Sequence, residues 1–313
     1  MQKLILGNKD ISTSLRMDGK YIDVAWPVYT ESIDIEYLVI AGGGGGGTAE
    51  DGLPKFAGGG GGAGQIQTGS FTFATGSDNI FVMTGRGGEG ANYPGNNPTS
   101  GGRGLRGYDS YISGVVSSLK GEGGHPIGDA VRFDETGGPS GAGFAGGSND
   151  IFDQAAGGGA GNTGVGFDGD DGPTDNPAVA IGGNGGTGTT INDWYWNSSL
   201  DVVGAVAGGG GGSAYSAITE SFGLGTDGGG NGALETNNAS NATSFGSGGG
   251  GAFEATAGDG KDGLVVLRYE NRFAINDSGT DVFQVGDYWY HSFSSASLSQ
   301  QTFERPDKIL IDV

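Results

Sequence analysis

The sequence predicts a mainly β and irregular fold class, in which short β-hairpins and small β modules flank a packed bundle of polyglycine-II helices. Three observations support this prediction. All but four of the 72 glycines lie between residues 42 and 263. A strand-like run, Ser32 to Ala41, ends directly in six consecutive glycines, Gly42 to Gly47. No stretch has the apolar spacing of an amphipathic helix longer than a few turns.

The glycine tracts need partners if they are to be ordered. An isolated glycine run loses more entropy on ordering than any other sequence. The extended polyproline-II-type helix has about three residues per turn and no internal hydrogen bonds, so every N–H and C=O must bond to a neighbouring chain. Only glycine lets such chains approach, and we therefore expect the tracts to lie side by side. A flexible Gly/Ser linker fits less well, because aromatic residues, β-branched residues and aspartates interrupt the tracts.

Ten glycines of these tracts are predicted scaffold positions. They are Gly42, Gly44, Gly47, Gly58, Gly62, Gly208, Gly210, Gly212, Gly248 and Gly251. A Cβ would hold neighbouring chains apart, so Gly44→Val or Gly210→Val is expected to disrupt the bundle.

The chain divides into three predicted parts. Residues 1–31 contain a hairpin pattern over Lys3 to Ser12 and a strand pattern over Tyr21 to Trp26, and form a candidate attachment module. Residues 32–270 form the glycine-rich domain. Residues 271–313 return to ordinary β composition, with a last strand predicted over residues 308–313.

Three hairpins and one clasp are predicted from strand and turn signals. The hairpins cover residues 71–83, 109–119 and 281–293. The closing strand, Gly263 to Tyr269, is apolar on both faces, and we expect it to pair with Tyr37 to Ala41. This pairing would hold the two ends of the glycine-rich domain together.

Composition excludes several classes of partner. The net charge is −21 and the pI is near 4.1, which argues against nucleic acid and anionic membranes as partners. The absence of cysteine excludes disulfides and thiol chemistry. The apolar run at Leu4 to Leu6 is too short for a signal peptide, and no stretch reaches membrane-span length, so membrane insertion is not expected.

Catalytic motifs are missing, so we expect no enzyme. The glycines after Ala41 match a dinucleotide-binding fingerprint, but no helix can start after them to hold a pyrophosphate. No Walker loop is present. His125 and His291 are the two histidines, and neither has a nucleophile motif nearby. Carboxylate pairs for glycoside hydrolysis stay open, because their separation is a three-dimensional quantity.

An acidic loop offers oxygen ligands to a metal ion. Asp168, Asp170, Asp171 and Asp175 lie in a segment rich in glycine and proline, and could gather ligands for Ca²⁺. The EF-hand pattern fails, since Gly172 arrives one place early and the last position has no glutamate. The other interpretation is a solvated acidic turn. Calcium is the one cofactor that the sequence leaves open.

The aromatic residues allow two interpretations. Trp194, Tyr195 and Trp196 are consecutive, and lone tyrosines include Tyr93, Tyr108 and Tyr111. They can fill the few hydrophobic layers of a domain poor in large side chains. Alternatively, they lie on loops between glycine helices and stack on a ligand. The second interpretation makes these six residues candidate receptor contacts.

The order of these pieces resembles the glycine-rich domain of bacteriophage tail fibres and tail-tip adhesins. The resemblance is carried by residues 35–42, 71–83, 205–212 and 263–269, and by the segment His291 to Ser295. It implies a virion protein made in the host cytoplasm, whose polyglycine helices pack in a bundle and whose loops bind a host receptor, either a glycan or an outer-membrane protein. It also implies other virion proteins as partners and a homo-oligomer, a trimer by analogy with fibres or else a monomeric tip.

Two other classes of protein remain open. A capsid or tail decoration protein would use the same scaffold for cohesion, and would have well-buried aromatic residues. An ice-binding protein would need a flat face and a strict three-residue period, against which the irregular runs argue.

Overall fold

Seventeen short strands make up the regular structure of the residues described. A computed structural model describes residues 14–17, 20–23, 32–49, 57–73, 79–92, 102–118, 121, 137–148, 154–170, 179–215, 219–271, 278–294 and 301–303. These residues contain strands but no helix, and thus no helix that could span a membrane. The mainly β prediction is confirmed for this part of the chain.

The strands are numbered in chain order. They are β1 (Ser14–Met17), β2 (Lys20–Asp23), β3 (Ile33–Ile40), β4 (Thr48–Ala49), β5 (Ile66–Phe73), β6 (Ile80–Met83), β7 (Ser110–Ile112), β8 (Val116–Ser118), β9 (Val179–Ile181), β10 (Thr189–Tyr195), β11 (Val202–Val206), β12 (Thr219–Ser221), β13 (Ala252–Phe253), β14 (Leu264–Glu270), β15 (Asp281–Val285), β16 (Tyr288–Phe293) and β17 (Gln301–Phe303).

A five-stranded antiparallel sheet holds the ends of the glycine-rich region together. Its strand order is β15-β16-β14-β3-β5. In the pairing of β14 with β3, Leu264 lies opposite Ile40 and Arg268 lies opposite Glu36. The predicted clasp is therefore confirmed. The hairpin predicted over residues 281–293 is also confirmed, as β15 and β16, and β16 joins the same sheet by pairing with β14.

The two central strands of this sheet, β3 and β14, are largely buried on both faces. Ile35, Val39 and Val265 face one hydrophobic cluster, which includes Val82 and Phe303 from the sheet β17-β6-β7-β8. The alternate residues of β3 and β14 face a second cluster, to which the hairpin β10-β11 contributes. Side chains alternate along a strand, so the continuous apolar runs of β3 and β14 serve two cores at once.

The hairpin predicted over residues 71–83 is wrong. β5 pairs along all eight of its residues with β3, whereas β6 pairs with β7 and β17 in the other sheet. Phe73 and Val82 nevertheless share one hydrophobic cluster. The two strands therefore meet through side chains across a layer instead of through backbone hydrogen bonds, a distinction that strand and turn signals do not contain.

The remaining strand predictions have mixed outcomes. The hairpin over residues 109–119 is confirmed as β7 and β8. The strand over Tyr21 to Trp26 is confirmed for Tyr21 to Asp23, which belong to β2, and residues 24–26 lie outside the described residues. β2 pairs with β1, which the sequence did not predict. The patterns at residues 3–12 and 308–313 lie outside the described residues.

The glycine segments continue the register of the central sheet. Ile40 lies opposite both Ile66 and Leu264. Farther along the chain, Gly44 N–H donates to Gly62 O at 2.8 Å and Gly43 N–H donates to Lys261 O at 3.0 Å, in the registers that the strands began. Segment 41–47 thus follows β3 in the chain, and segments 57–64 and 258–263 precede β5 and β14. The three segments keep the pairing of these strands.

The N–H groups of segment 42–47 donate hydrogen bonds to three neighbouring segments in turn. Its N–H groups donate at every third residue to the same neighbouring segment: residues 42 and 45 to segment 102–108, residues 43 and 46 to segment 258–261, and residues 44 and 47 to segment 59–62. Its carbonyl oxygens accept from segments 88–91 and 249–252 and from Gly121. A strand in a sheet has two neighbours, whereas this segment is surrounded.

Segment 207–214 repeats the arrangement. Residues 209 and 212 donate to segment 183–186, residues 210 and 213 donate to segment 58–61, and residues 211 and 214 donate to segment 230–233. All ten glycines predicted as scaffold positions are buried. A Cβ at Gly45 would lie 2.2 Å from Glu89 O, and one at Gly210 would lie 2.0 Å from Gly249 O, both far inside van der Waals contact.

We predict that Gly45→Ala and Gly210→Ala each lower the free energy of unfolding by about 3 kcal/mol or more, because a methyl group must push a neighbouring carbonyl out of its hydrogen bond. Thermal and denaturant unfolding would measure this. The control is Gly114→Asn, where φ is +72° and no atom lies within 4 Å of a new Cβ, a conformation that asparagine tolerates. Equal melting of all three variants would contradict the close-packed arrangement.

Candidate functional site on the surface of the glycine segments

The buried interior of the described glycine segments consists mostly of main chain, and its few polar side chains, such as Ser213 and Ser247, are hydrogen-bonded to backbone groups. The exposed side chains lie on its perimeter. Segment 85–92 illustrates the arrangement. Arg86, Glu89 and Asn92 are exposed, and every residue between them is buried. Every third side chain of such a segment therefore faces outwards. These side chains form a row on a surface that otherwise consists of main chain.

The consecutive aromatic residues near the end of β10 divide between core and surface. Trp194 is only 5% exposed and meets Tyr290 edge-on, with ring centroids 6.4 Å apart. Tyr195 is half-buried and also meets Tyr290 edge-on, at 5.8 Å. Trp196 is half-buried against Phe245, with centroids 5.2 Å apart. The structure brings these three candidate residues together, but it places Trp194 mainly within a hydrophobic cluster.

Arg268 fixes Trp194 in position. Its guanidinium carbon lies 4.3 Å from the centroid of the Trp194 ring, and its Nε donates to Glu36 Oε2 at 2.6 Å. Nη1 donates to the Asp193 carbonyl and to Tyr290 Oη. Partial burial opposes the charge of Arg268, but the hydrogen bonds to Tyr290 and Glu36 outweigh this effect and raise the pKa of the guanidinium. This network ties β10, β14, β3 and β16 together.

A cleft of about 410 Å³ lies beside Trp196, and we call it the Trp196 cleft. It is lined by Trp196, Val203, Thr243, Ser244, Phe245, Lys261, Asp262 and Ser294. Two aromatic rings, hydroxyl groups and one group of each charge meet there. Such a mixture offers stacking and hydrogen bonding to a polar ligand with apolar faces.

The tyrosines lie elsewhere. Tyr108 is 47% exposed and lines a second cleft, together with Arg86, Arg103, Leu105 and Arg106. Tyr111 is half-buried on β7, and Tyr93 lies outside the described residues. Sequence reasoning missed the three arginines. The sequence does contain a signal for them, because non-glycine residues recur three positions apart. The pairs are Arg86 and Glu89, Arg103 and Arg106, and Leu105 and Tyr108.

The acidic side chains follow a common pattern at the perimeter. Carboxylates of Asp168, Asp227, Asp259 and Asp262 accept hydrogen bonds at 2.7–2.8 Å from the N–H groups of Ser148, Gly188, Gly90 and Gly87. A segment at the edge of the glycine region has fewer neighbouring segments, and these carboxylates supply acceptors at such edges. We refer to these four residues as the capping aspartates.

The predicted calcium loop is only partly described. Asp168 and Asp170 are exposed, and Asp171 and Asp175 lie outside the described residues. Within the ranges that the structure covers, no group of three or more histidines, cysteines, aspartates or glutamates is placed to hold a metal ion. Calcium binding by the complete loop stays a prediction.

His291 is a core residue. It is fully buried on β16, with Nδ1 2.7 Å from Ser278 O and Nε2 3.0 Å from Tyr269 Oη. Because a carbonyl can only accept, Nδ1 carries the proton. The two contacts hold β16 to Tyr269 of β14 and to Ser278. His125 lies outside the described residues.

We predict that Trp194→Ala lowers the free energy of unfolding by about 3–5 kcal/mol, because it opens a cavity in the second core and removes the ring beneath Arg268. Trp196→Ala, at a half-exposed position, should cost much less and serves as the matched variant. Denaturant unfolding would measure both. A smaller loss for Trp194→Ala than for Trp196→Ala would contradict the assignment of Trp194 to the core.

A second prediction concerns the capping aspartates. Asp262→Ala should lower the free energy of unfolding by about 1 kcal/mol, because Gly87 N–H loses its acceptor. Asp262→Asn keeps a side-chain oxygen at the same distance along the chain and should retain most of the stability. Equal losses of stability in Asp262→Ala and Asp262→Asn would show that the charge of Asp262, and not its acceptor oxygen, stabilises the protein. That outcome would refute the capping role.

Comparison with known families is consistent with the unusual composition. No curated protein sequence matches the chain at a significant level. The model of the glycine-rich domain family matches residues 18–270, which is most of the chain and includes every glycine segment described above. The chain belongs to the glycine-rich domain family.

Proposed function

We propose that this chain is a structural protein of a bacteriophage virion, a tail fibre or tail-tip adhesin that binds a host cell-surface receptor and catalyses no reaction. In this proposal the glycine segments form a bundle of polyglycine-II helices. The bundle is the rigid scaffold, and the residues on its perimeter and in its loops are the recognition surface.

The hydrogen-bond pattern supports the polyglycine-II assignment. Donors of segment 42–47 return to the same neighbour at every third residue. That repeat is expected of a helix with three residues per turn whose N–H groups point outwards. Segment 207–214 shows the same repeat with other neighbours, so the pattern is not confined to one tract.

One observation carries the functional proposal: the glycine region is built mostly from main chain. Its buried interior, where described, consists of glycine with a few alanine, serine and threonine residues, whereas its perimeter presents arginine, tyrosine, tryptophan and aspartate. Rigid scaffolds with variable polar and aromatic surfaces are a common basis for recognition. The resemblance in the order of strands and glycine tracts favours host attachment as the form of recognition.

A purely structural role is the second candidate. A capsid or tail decoration protein would have its aromatic residues buried for cohesion, and Trp194 is nearly fully buried beneath Arg268. In either role the proposed partners are other virion proteins and further copies of this chain, with a trimer or a monomeric tip as the assembly. Both roles place the mature protein in the virion.

We predict that the purified protein binds intact cells of a host that the parent virus infects. Trp196→Ala, a substitution in the Trp196 cleft, should weaken this binding about tenfold or more without unfolding the protein. Flow cytometry with labelled protein would measure binding, in parallel with thermal unfolding. The control is Leu200→Ala, an exposed residue beyond the cleft lining.

Loss of binding in EDTA would support the calcium loop, and unchanged binding would argue against it. If the folded protein binds no cells of that host, the adhesin proposal fails and the decoration role is favoured.

A further inference from the structure

The second surface cleft has a charge opposite to that of the whole chain. It has a volume of about 320 Å³ and is lined by Arg86, Gly87, Gly88, Glu89, Arg103, Gly104, Leu105, Arg106 and Tyr108. We call it the arginine cleft. Its lining has three cationic side chains and one anionic side chain, in a protein whose net charge is −21.

Backbone hydrogen bonds hold the two walls of the arginine cleft in fixed register. Leu105 N–H donates to Glu89 O and Tyr108 N–H donates to Arg86 O, each at 2.8 Å. Behind them, Gly45 N–H donates to Leu105 O and Gly42 N–H donates to Tyr108 O. Segment 42–47 therefore fixes the spacing of the side chains that project from the wall, and the cleft needs little rearrangement to bind a ligand.

Among the described residues, cations are concentrated in this cleft. The structure describes the side chains of five lysine and arginine residues: Arg86, Arg103, Arg106, Lys261 and Arg268. Three of the five line the arginine cleft, and Arg268 is bound to Glu36 on the central sheet. Glu89, the one anionic residue of the cleft lining described, pairs with Arg86 at 3.0 Å.

The opposite wall combines charge with apolar surface. Arg103 and Arg106 are three residues apart, as are Leu105 and Tyr108, so each pair lies in its own row along the segment. In a polyproline-II-type segment three residues rise by about 9 Å, which spaces the two guanidinium groups for successive groups of an extended polyanion. Leu105 is 58% exposed and Tyr108 is 47% exposed beside them.

We propose that the arginine cleft binds an anionic saccharide chain. Guanidinium groups bind carboxylate or phosphate oxygens in a bidentate manner, and the Tyr108 ring offers a face on which a sugar ring can stack. The inference rests on the proposed host-attachment role and names the chemistry of the receptor. Nucleic acid is a poorer fit, because a net charge of −21 repels a long, densely charged duplex over the rest of the surface.

The test is titration calorimetry of the complete protein at 50 mM and 150 mM salt, a choice of conditions that exposes purely ionic binding. The probes are an oligogalacturonate for carboxylate groups, a phosphorylated lipopolysaccharide core oligosaccharide for phosphate groups, maltohexaose as a neutral saccharide and a 15-nucleotide oligothymidylate. We expect one or both anionic saccharides to bind and maltohexaose not to bind. Arg106→Gln and Tyr108→Ala should each weaken binding about tenfold.

Leu224→Ala is the control, because it truncates an exposed side chain outside the linings of both clefts and should leave saccharide binding unchanged. Thermal unfolding of each variant separates loss of binding from loss of folding. Oligothymidylate binding as tight as saccharide binding, equal losses for Leu224→Ala and Tyr108→Ala, or no saccharide binding would each overturn the inference. Host-cell binding by the same protein preparation would show that the adhesin role stands even where the saccharide inference fails.

Discussion

Main-chain hydrogen bonding between closely approaching segments is the constraint on which this structure depends. Each glycine in segments 42–47 and 207–214 has an N–H and a C=O to satisfy, and no side chain packing with which to offset an unmet bond. At most positions this approach requires glycine, because a Cβ at Gly45 or Gly210 would lie within 2.2 Å of a neighbouring carbonyl oxygen. This constraint explains the high glycine content, the burial of the tracts and their arrangement, because each tract must be surrounded by others. A single tract would lose entropy on ordering and form no hydrogen bonds to offset the loss.

The central sheet stabilises the association of the glycine segments. β3, β5 and β14 form a conventional ladder with two hydrophobic faces, and the glycine segments continue from it in the same register. The sheet thus holds three segments side by side in antiparallel order at one end of its strands, where the large side chains stop and additional neighbours can approach. Burial of residues such as Val39 and Val265 supplies the hydrophobic stabilisation that glycine lacks.

Local patterns predicted the elements of the fold better than their contacts. The apolar runs of β3 and β14, with glycines after the first and before the second, were enough to predict the clasp, because a strand with two apolar faces needs covering on both. The hairpin over residues 71–83 was misassigned, since apolar strands beside a turn look alike whether they share a sheet or face each other across a layer. Trp194 and Trp196 are two positions apart in the sequence yet differ in burial, because Arg268 packs on one and Phe245 on the other, and both come from distant segments.

The surface follows from the same constraint as the interior. A perimeter segment keeps glycine where it faces a neighbour and is free to vary at every third residue, so Arg86, Glu89 and Asn92 can change without disturbing the packing. Aspartate recurs at such positions because its carboxylate can accept an N–H that has no neighbouring carbonyl, as Asp259 and Asp262 do. Acidity is therefore partly a structural requirement of this architecture. Arginine meets no such requirement, since it cannot accept a hydrogen bond. The structural role of the aspartates therefore does not account for the three arginines beside Tyr108, which are the residues to which we assign saccharide binding in our proposal.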